Sequence, residues 1–77
     1  MAEQAVLVGG QKLMADIDDP GSEKWRATLT VSHELSPGSV KVVLLGANGD
    51  HKGSSTAKVV PGGAGGPTVL EGFEAFH

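Results

Sequence analysis

The stretch Trp25–His33, with the sequence WRATLTVSH, decides the fold class of this chain. Every second residue from Trp25 to Val31 is apolar, and the residues that alternate with them up to position 32 are arginine, two threonines and serine. This period of two places the apolar side chains on one face of a β-strand, with His33 at its end, whereas a helix would scatter them. Threonine and valine also favour extended backbone. The stretch therefore predicts a strand with one buried face and one solvated face.

Two shorter strands are predicted before this one. The apolar run Ala5–Val8 ends at Gly9-Gly10, and Leu13, Ala15 and Ile17 then follow at alternate positions. Two glycines between such runs are typical of a tight hairpin, because both loop positions need positive φ. We therefore expect the two segments to pair with each other.

Two further strands are predicted after it. Val40–Leu45 is apolar on both faces apart from Lys41, which is typical of a central strand or of one covered on both sides. The turn residues Ser36–Ser39 lead into it, so we expect residues 25–33 and 40–45 to form a hairpin. Thr56–Val60 is a shorter strand.

The chain as a whole is predicted to be all-β. Five or six short strands separated by glycine-rich turns indicate a small antiparallel sandwich or an open barrel. The segment 61–67, PGGAGGP, is typical of a hinge or a crossing loop. We divide the chain into a β-rich body, residues 1–60, this hinge, and a C-terminal segment, residues 68–77.

The C-terminal segment carries both phenylalanines of the protein. It is either the last strand of the sheet or an arm that docks on a partner, and the pattern leaves both interpretations open. In extended backbone its apolar residues fall on both faces, with Phe73 on one and Phe76 on the other. The candidate interface residues are the lone tryptophan, for which a place in the core is the alternative, and the apolar residues of this segment: Trp25, Val69, Leu70, Phe73 and Phe76.

The size of the chain predicts association. Its 77 residues are near the lower limit for a domain that folds alone, and only 20 of them are large and apolar (nine Val, seven Leu, two Phe, one Ile and one Trp). There is no cysteine, so no disulfide and no thiolate metal site adds stability. We therefore expect the partners to be copies of the chain itself, a larger protein scaffold, or both.

The charge and hydropathy of the chain limit the kinds of partner and the cellular location that we expect for it. The formal net charge of −3 weighs against nucleic acid and anionic membranes. No apolar run approaches the roughly 18 residues of a membrane-spanning helix. The first residues, MAEQAVLVGGQ, lack the early basic residues of a signal peptide. We expect a protein that is cytoplasmic when synthesised, and that enters a virion if its partner is a capsid.

No residue pattern indicates catalysis, a cofactor or a metal. The cluster Asp16, Asp18 and Asp19 lacks the glycine and glutamate of a calcium loop, so a solvated turn is the interpretation. The three histidines, at positions 33, 51 and 77, lack the close spacing of zinc ligands. No serine lies in a nucleophile elbow, and no phosphate-binding loop is present. We expect no enzyme, no cofactor and no small-molecule substrate.

The absence of these signals leaves two functional hypotheses. The first is a non-enzymatic structural or interaction subunit of a larger assembly, such as a small virion protein that decorates or cements a bacteriophage capsid. Small size, high glycine content and the C-terminal segment favour it by analogy alone. The alternative is a small soluble β-barrel binding module that acts on a regulatory protein or nucleic acid. A nucleic-acid barrel needs stacked aromatics and a basic groove, which the sequence does not provide.

Overall fold

The computed structural model of the chain describes residues 3–30, 35–63 and 66–77. This part of the chain contains six strands: β1 (Glu3–Val8), β2 (Gln11–Asp18), β3 (Arg26–Leu29), β4 (Gly38–Leu45), β5 (His51–Val60) and β6 (Val69–Gly72). It contains no helix, and hence none long and apolar enough to cross a membrane.

The six strands close into a barrel in the order β1-β2-β3-β6-β5-β4, with β4 returning to β1. All neighbours are antiparallel. The chain therefore forms two three-stranded meanders, β1–β3 and β4–β6, which join through β1–β4 and β3–β6. The all-β prediction is confirmed. The sheet closes on itself instead of remaining open, so each strand has a neighbour on both sides.

The predicted hairpin of the first two strands, with its turn at Gly9-Gly10, is confirmed. Val8 pairs with Gln11 across the two-residue loop. Gly9 and Gly10 have φ values of 57° and 88°, which is the left-handed region that this turn requires at both positions. In β2 the predicted alternation holds, since Leu13 and Ala15 are buried and Met14 is exposed.

The alternation around β3 is confirmed over the described residues. Trp25, Ala27 and Leu29 are buried in the barrel, whereas the residues between them are exposed. The last part of the predicted strand, Val31 to His33, lies outside the described residues.

The predicted hairpin between residues 25–33 and 40–45 is wrong. β3 pairs with β2 and β6, and β4 pairs with β1 and β5. The chain between β3 and β4 connects the two meanders, and β6 takes the place beside β3. The burial predicted for β4 does hold at its centre, where the consecutive residues Val42 and Val43 are 0% and 8% exposed.

Residues 69–72 form a strand of the barrel. β6 pairs with β3 on one side and with β5 on the other, and Leu70 is completely buried. Of the two interpretations that the sequence left open, the structure therefore shows a strand at 69–72. Because β6 closes the same sheet that β1–β5 form, the body and the C-terminal segment share one core.

Side chains fill the interior of the barrel. The inward-facing residues of all six strands form one apolar cluster with Trp25 at one end. Its largest fully buried side chains are Trp25, Leu70, Val6, Val8 and Val42. The barrel is therefore a packed core, and the surfaces left for function lie on its outside.

Candidate interaction surface

Trp25 anchors the C-terminal segment to the barrel. Its side chain is fully buried, and its Nε1–H donates hydrogen bonds to the backbone carbonyl of Glu74 at 2.8 Å and to Ser55 Oγ at 3.2 Å. The Ser55 hydroxyl also donates to the Glu74 carbonyl, at 2.8 Å. The ring of Phe76 packs against the indole with a centroid separation of 4.4 Å and an interplanar angle of 33°. The tryptophan thus combines apolar burial with a satisfied polar atom.

The backbone on both sides of Phe73 is held by hydrogen bonds. Gly72 N–H donates to the carbonyl of Trp25 at 2.8 Å, and Phe73 N–H donates to the carbonyl of Thr56 at 3.2 Å. Further along, His77 and Ser54 exchange two backbone hydrogen bonds, at 2.9 and 3.1 Å. With the Trp25–Glu74 bond, these contacts fix residues 72–77 beside β5, in continuation of β6.

The two phenylalanines of this segment point in opposite directions, although a bulge lies in the segment. Gly72 pairs with Ala57 and His77 pairs with Ser54, so residues 73–76 stand opposite only residues 55–56. Because the bulge adds an even number of residues, the alternation of faces is kept. Phe76 points back to Trp25, and Phe73 points into solvent with 56% of its surface exposed.

The five candidate interface residues differ in how much of each side chain is exposed. Trp25 and Leu70 are each 0% exposed, so neither is available to a partner of the folded domain. Phe76 is half-buried against Trp25, and Val69 is half-buried opposite Thr28 of β3. Phe73 alone of the five is an exposed large apolar side chain.

The structure adds one residue that the sequence analysis did not single out. Met14 is 38% exposed, and Met14 and Phe73 are the two exposed large hydrophobic residues of the described part of the chain. The signal was present in the sequence, because Met14 is the apolar residue on the polar face of the β2 alternation.

Charged side chains of alternating sign run across four neighbouring strands. The register places Lys58 of β5 opposite Glu71 of β6, Glu71 opposite Arg26 of β3, and Arg26 opposite Asp18 of β2. All four are exposed. Opposite charges at directly paired positions stabilise a sheet modestly, so this row contributes to stability and solubility.

The described residues contain no group of three or more histidine, aspartate or glutamate side chains placed to hold a metal ion. Asp16 and Asp18 line a surface groove of about 410 Å³ together with Arg26. His51 and His77 line another, of about 350 Å³, whereas His33 lies outside the described residues. No buried side-chain nitrogen or oxygen in the described part of the chain lacks a hydrogen-bond partner. The polar atoms inside the barrel are therefore satisfied by the protein itself.

Comparison with protein-family models, with curated proteins and with solved structures finds no match to this chain.

Proposed function

We propose that this protein is a non-enzymatic interaction subunit that binds a larger protein scaffold through Phe73. The observation that supports this role is an exposed phenylalanine on a backbone that is already fixed. The N–H of Phe73 and the backbone of both neighbouring residues are hydrogen-bonded to the barrel. Large apolar side chains that are exposed in the free protein are common centres of binding energy.

The fixed backbone strengthens this argument. Ordering a flexible segment on binding opposes association, and a segment that is ordered beforehand avoids that loss. Phe73 lies between two anchors, the Gly72–Trp25 backbone hydrogen bond and the Trp25–Glu74 bond. The scaffold would supply an apolar pocket for the ring, and Glu71 and Thr56 beside it would form part of the polar rim.

The closed barrel changes how we expect binding to work. A strand added to an open sheet edge is a common mode of peptide recognition, and the strand-like C-terminal segment suggests it. Each of the six described strands already has two neighbours, so side chains on the outer surface, rather than backbone pairing, would provide the contacts.

The setting that we propose is a bacteriophage capsid on which the protein acts as a decoration or cement subunit. A repeating lattice offers many equal sites, and a compact barrel with a filled interior needs only shape and surface contacts to occupy them. The binding experiment uses empty shells assembled from the major capsid protein of the genome that encodes this chain. We expect the purified protein to cosediment with these shells at a fixed ratio of copies.

The variant Phe73→Ala should weaken that binding at least about tenfold, which corresponds to about 1.4 kcal/mol. Thr28→Ala is the matched control, because Thr28 is exposed on β3 and pairs with Val69 at the start of β6, not with Phe73. A protein that fails to bind the shells, or whose binding is unchanged by Phe73→Ala, would contradict the proposal. Binding to a regulatory protein of the same genome instead would support the alternative, a small soluble binding module.

A further inference from the structure

We infer that the outer face of β2, β1 and β4 is a self-complementary dimer interface, on which a second copy of this chain packs with its strands reversed. This inference specifies how copies of the proposed assembly subunit meet. It rests on Met14 and its neighbours and does not involve Phe73.

The centre of this face is apolar. Ala5 of β1 pairs with Met14 of β2, and Leu7 of β1 pairs with Val43 of β4. All four side chains point outward, because their sequence neighbours Val6, Leu13, Ala15 and Val42 belong to the core cluster. We call Ala5, Leu7 and Met14 the outer apolar patch; Val43, beside Leu7, is only 8% exposed and adds little surface. Along β2, Met14 lies midway between Lys12 and Asp16, and it is the most exposed member of the patch, at 38%.

One end of the patch is acidic. Glu3 of β1 and Asp16 of β2 stand directly opposite each other in the register. Like charges at such positions repel, so this pair destabilises the isolated barrel. Thr30 Oγ1 donates a hydrogen bond to Glu3 Oε2 at 3.4 Å, but neither carboxylate has a cation within 4.0 Å among the described residues.

The other end of the patch is basic. Lys12 of β2 pairs with Leu7, and the carbonyl of Lys41 in β4 accepts a hydrogen bond from Gly9 N–H just beyond it. Both lysine side chains are exposed, and neither forms a salt bridge within the described part of the chain. The outward-facing residues of β2 are therefore, in chain order, a basic residue, an apolar one and an acidic one: Lys12, Met14 and Asp16.

This order of charges selects one arrangement of two copies. A two-fold axis that runs across the strands through Met14 places Asp16 of one copy over Lys12 of the other, and each contact occurs twice. The repulsion between Glu3 and Asp16 is then relieved by a lysine from the second copy. An axis parallel to the strands would place acid over acid, so electrostatics disfavours it.

The size of the face sets the expected affinity. Three strands spaced about 4.8 Å apart and about five residues long, at about 3.3 Å per residue, give an area of about 240 Å². A standard stable interface buries roughly 800 Å² on each partner. We therefore expect a weak dimer that forms at high local concentration, such as on the surface of a scaffold.

Crosslinking tests the position of the axis. The chain contains no cysteine, so Met14→Cys introduces a single reactive thiol. A short bismaleimide, which spans the roughly 10 Å between packed sheets, should convert this variant to a covalent dimer. Thr28→Cys, with its thiol on the outside of β3, is the control. Crosslinking of Met14→Cys that is no faster than that of Thr28→Cys at the same high protein concentration would overturn the inference.

Charge exchange tests the orientation, with the dissociation constant of the dimer measured by analytical ultracentrifugation. Lys12→Glu and Asp16→Lys should each weaken self-association about tenfold, because two symmetric contacts become repulsive. Mixing the two variants should restore wild-type affinity, since each then meets its opposite charge. Failure of the mixture to associate better than either variant alone would overturn the proposed orientation. No step uses the capsid shell, so these outcomes are separate from those of the Phe73 experiment.

Discussion

The backbone of Gly72 lies directly against the indole of Trp25. A Cβ built at position 72 would overlap the indole ring, with Nε1, Cε2 and Cδ1 as its nearest atoms. The two residues are also joined by the hydrogen bond from Gly72 N–H to the Trp25 carbonyl, at 2.8 Å. The absence of a side chain at 72 is what allows the indole to approach the backbone of β6 this closely, with Nε1 in reach of Ser55 and Glu74.

Gly72→Ala should therefore destabilise the protein. The indole has no free space to move into, because it is fully buried, so we expect a loss of about 1–3 kcal/mol in the free energy of unfolding. Urea denaturation followed by the fluorescence of the single tryptophan measures it. Gly21→Ala is the control, because a Cβ there meets no atom within 4 Å. Equal stability of the two variants would show that the close contact has no energetic role.

The local alternation of the sequence predicted which side chains are buried. Trp25, Ala27 and Leu29 were placed on one face and are buried. In the C-terminal segment the alternation also put Phe73 and Phe76 on opposite faces, and the structure agrees, because the bulge between them adds two residues and keeps the parity. These features depend on residues close in sequence, for which a period of two is a sufficient guide.

Which strands pair with each other could not be predicted from the alternation of residues. A strand pattern identifies the buried face but not the neighbouring strand. The sequence therefore predicts β4 beside β3, whereas the structure has β2 and β6 there. The β1–β4 and β3–β6 pairs that close the barrel join residues about 35–45 positions apart. For the same reason no local pattern in the sequence indicates that Gly72 and Trp25 are in contact.

The two phenylalanines provide a matched pair of stability variants. Phe76→Ala should lower the free energy of unfolding by about 2 kcal/mol, because it removes a half-buried ring packed on Trp25 at 4.4 Å. Phe73→Ala should change it by no more than about 0.5 kcal/mol, since the ring is 56% exposed. Thermal unfolding followed by circular dichroism compares the two. A loss for Phe73→Ala as large as that for Phe76→Ala would mean that Phe73 is a structural residue, and its role in binding would need another explanation.

The row of alternating charges formed by Lys58, Glu71, Arg26 and Asp18 predicts that reversing the charge of Arg26 lowers the stability of the protein in a salt-dependent way. Arg26→Glu places a negative charge between Asp18 and Glu71, so two attractive cross-strand pairs become repulsive. We expect a loss of about 1 kcal/mol at low ionic strength, which shrinks at 1 M salt, where the screening length is about 3 Å. Lys24→Glu makes the same charge change on an exposed residue outside the strands and serves as the control. A loss for Arg26→Glu that salt does not reduce would point to packing rather than charge as its cause.

Two truncations separate the roles of β6 and of the residues that follow it. Deleting residues 74–77 leaves all six strands but removes the Phe76 ring and the Glu74 carbonyl from Trp25. We expect a folded protein that is less stable by about 2–4 kcal/mol, with its tryptophan emission shifted to longer wavelength as solvent reaches the indole.

Deleting residues 68–77 also removes β6, and with it Leu70 from the core and the partner that β3 and β5 share. That chain should not unfold cooperatively in urea, because its barrel is open between β3 and β5 and the backbone edges of both strands are exposed. A cooperatively folded chain of residues 1–67 would instead show that the C-terminal segment is an accessory to the barrel, as an arm would be.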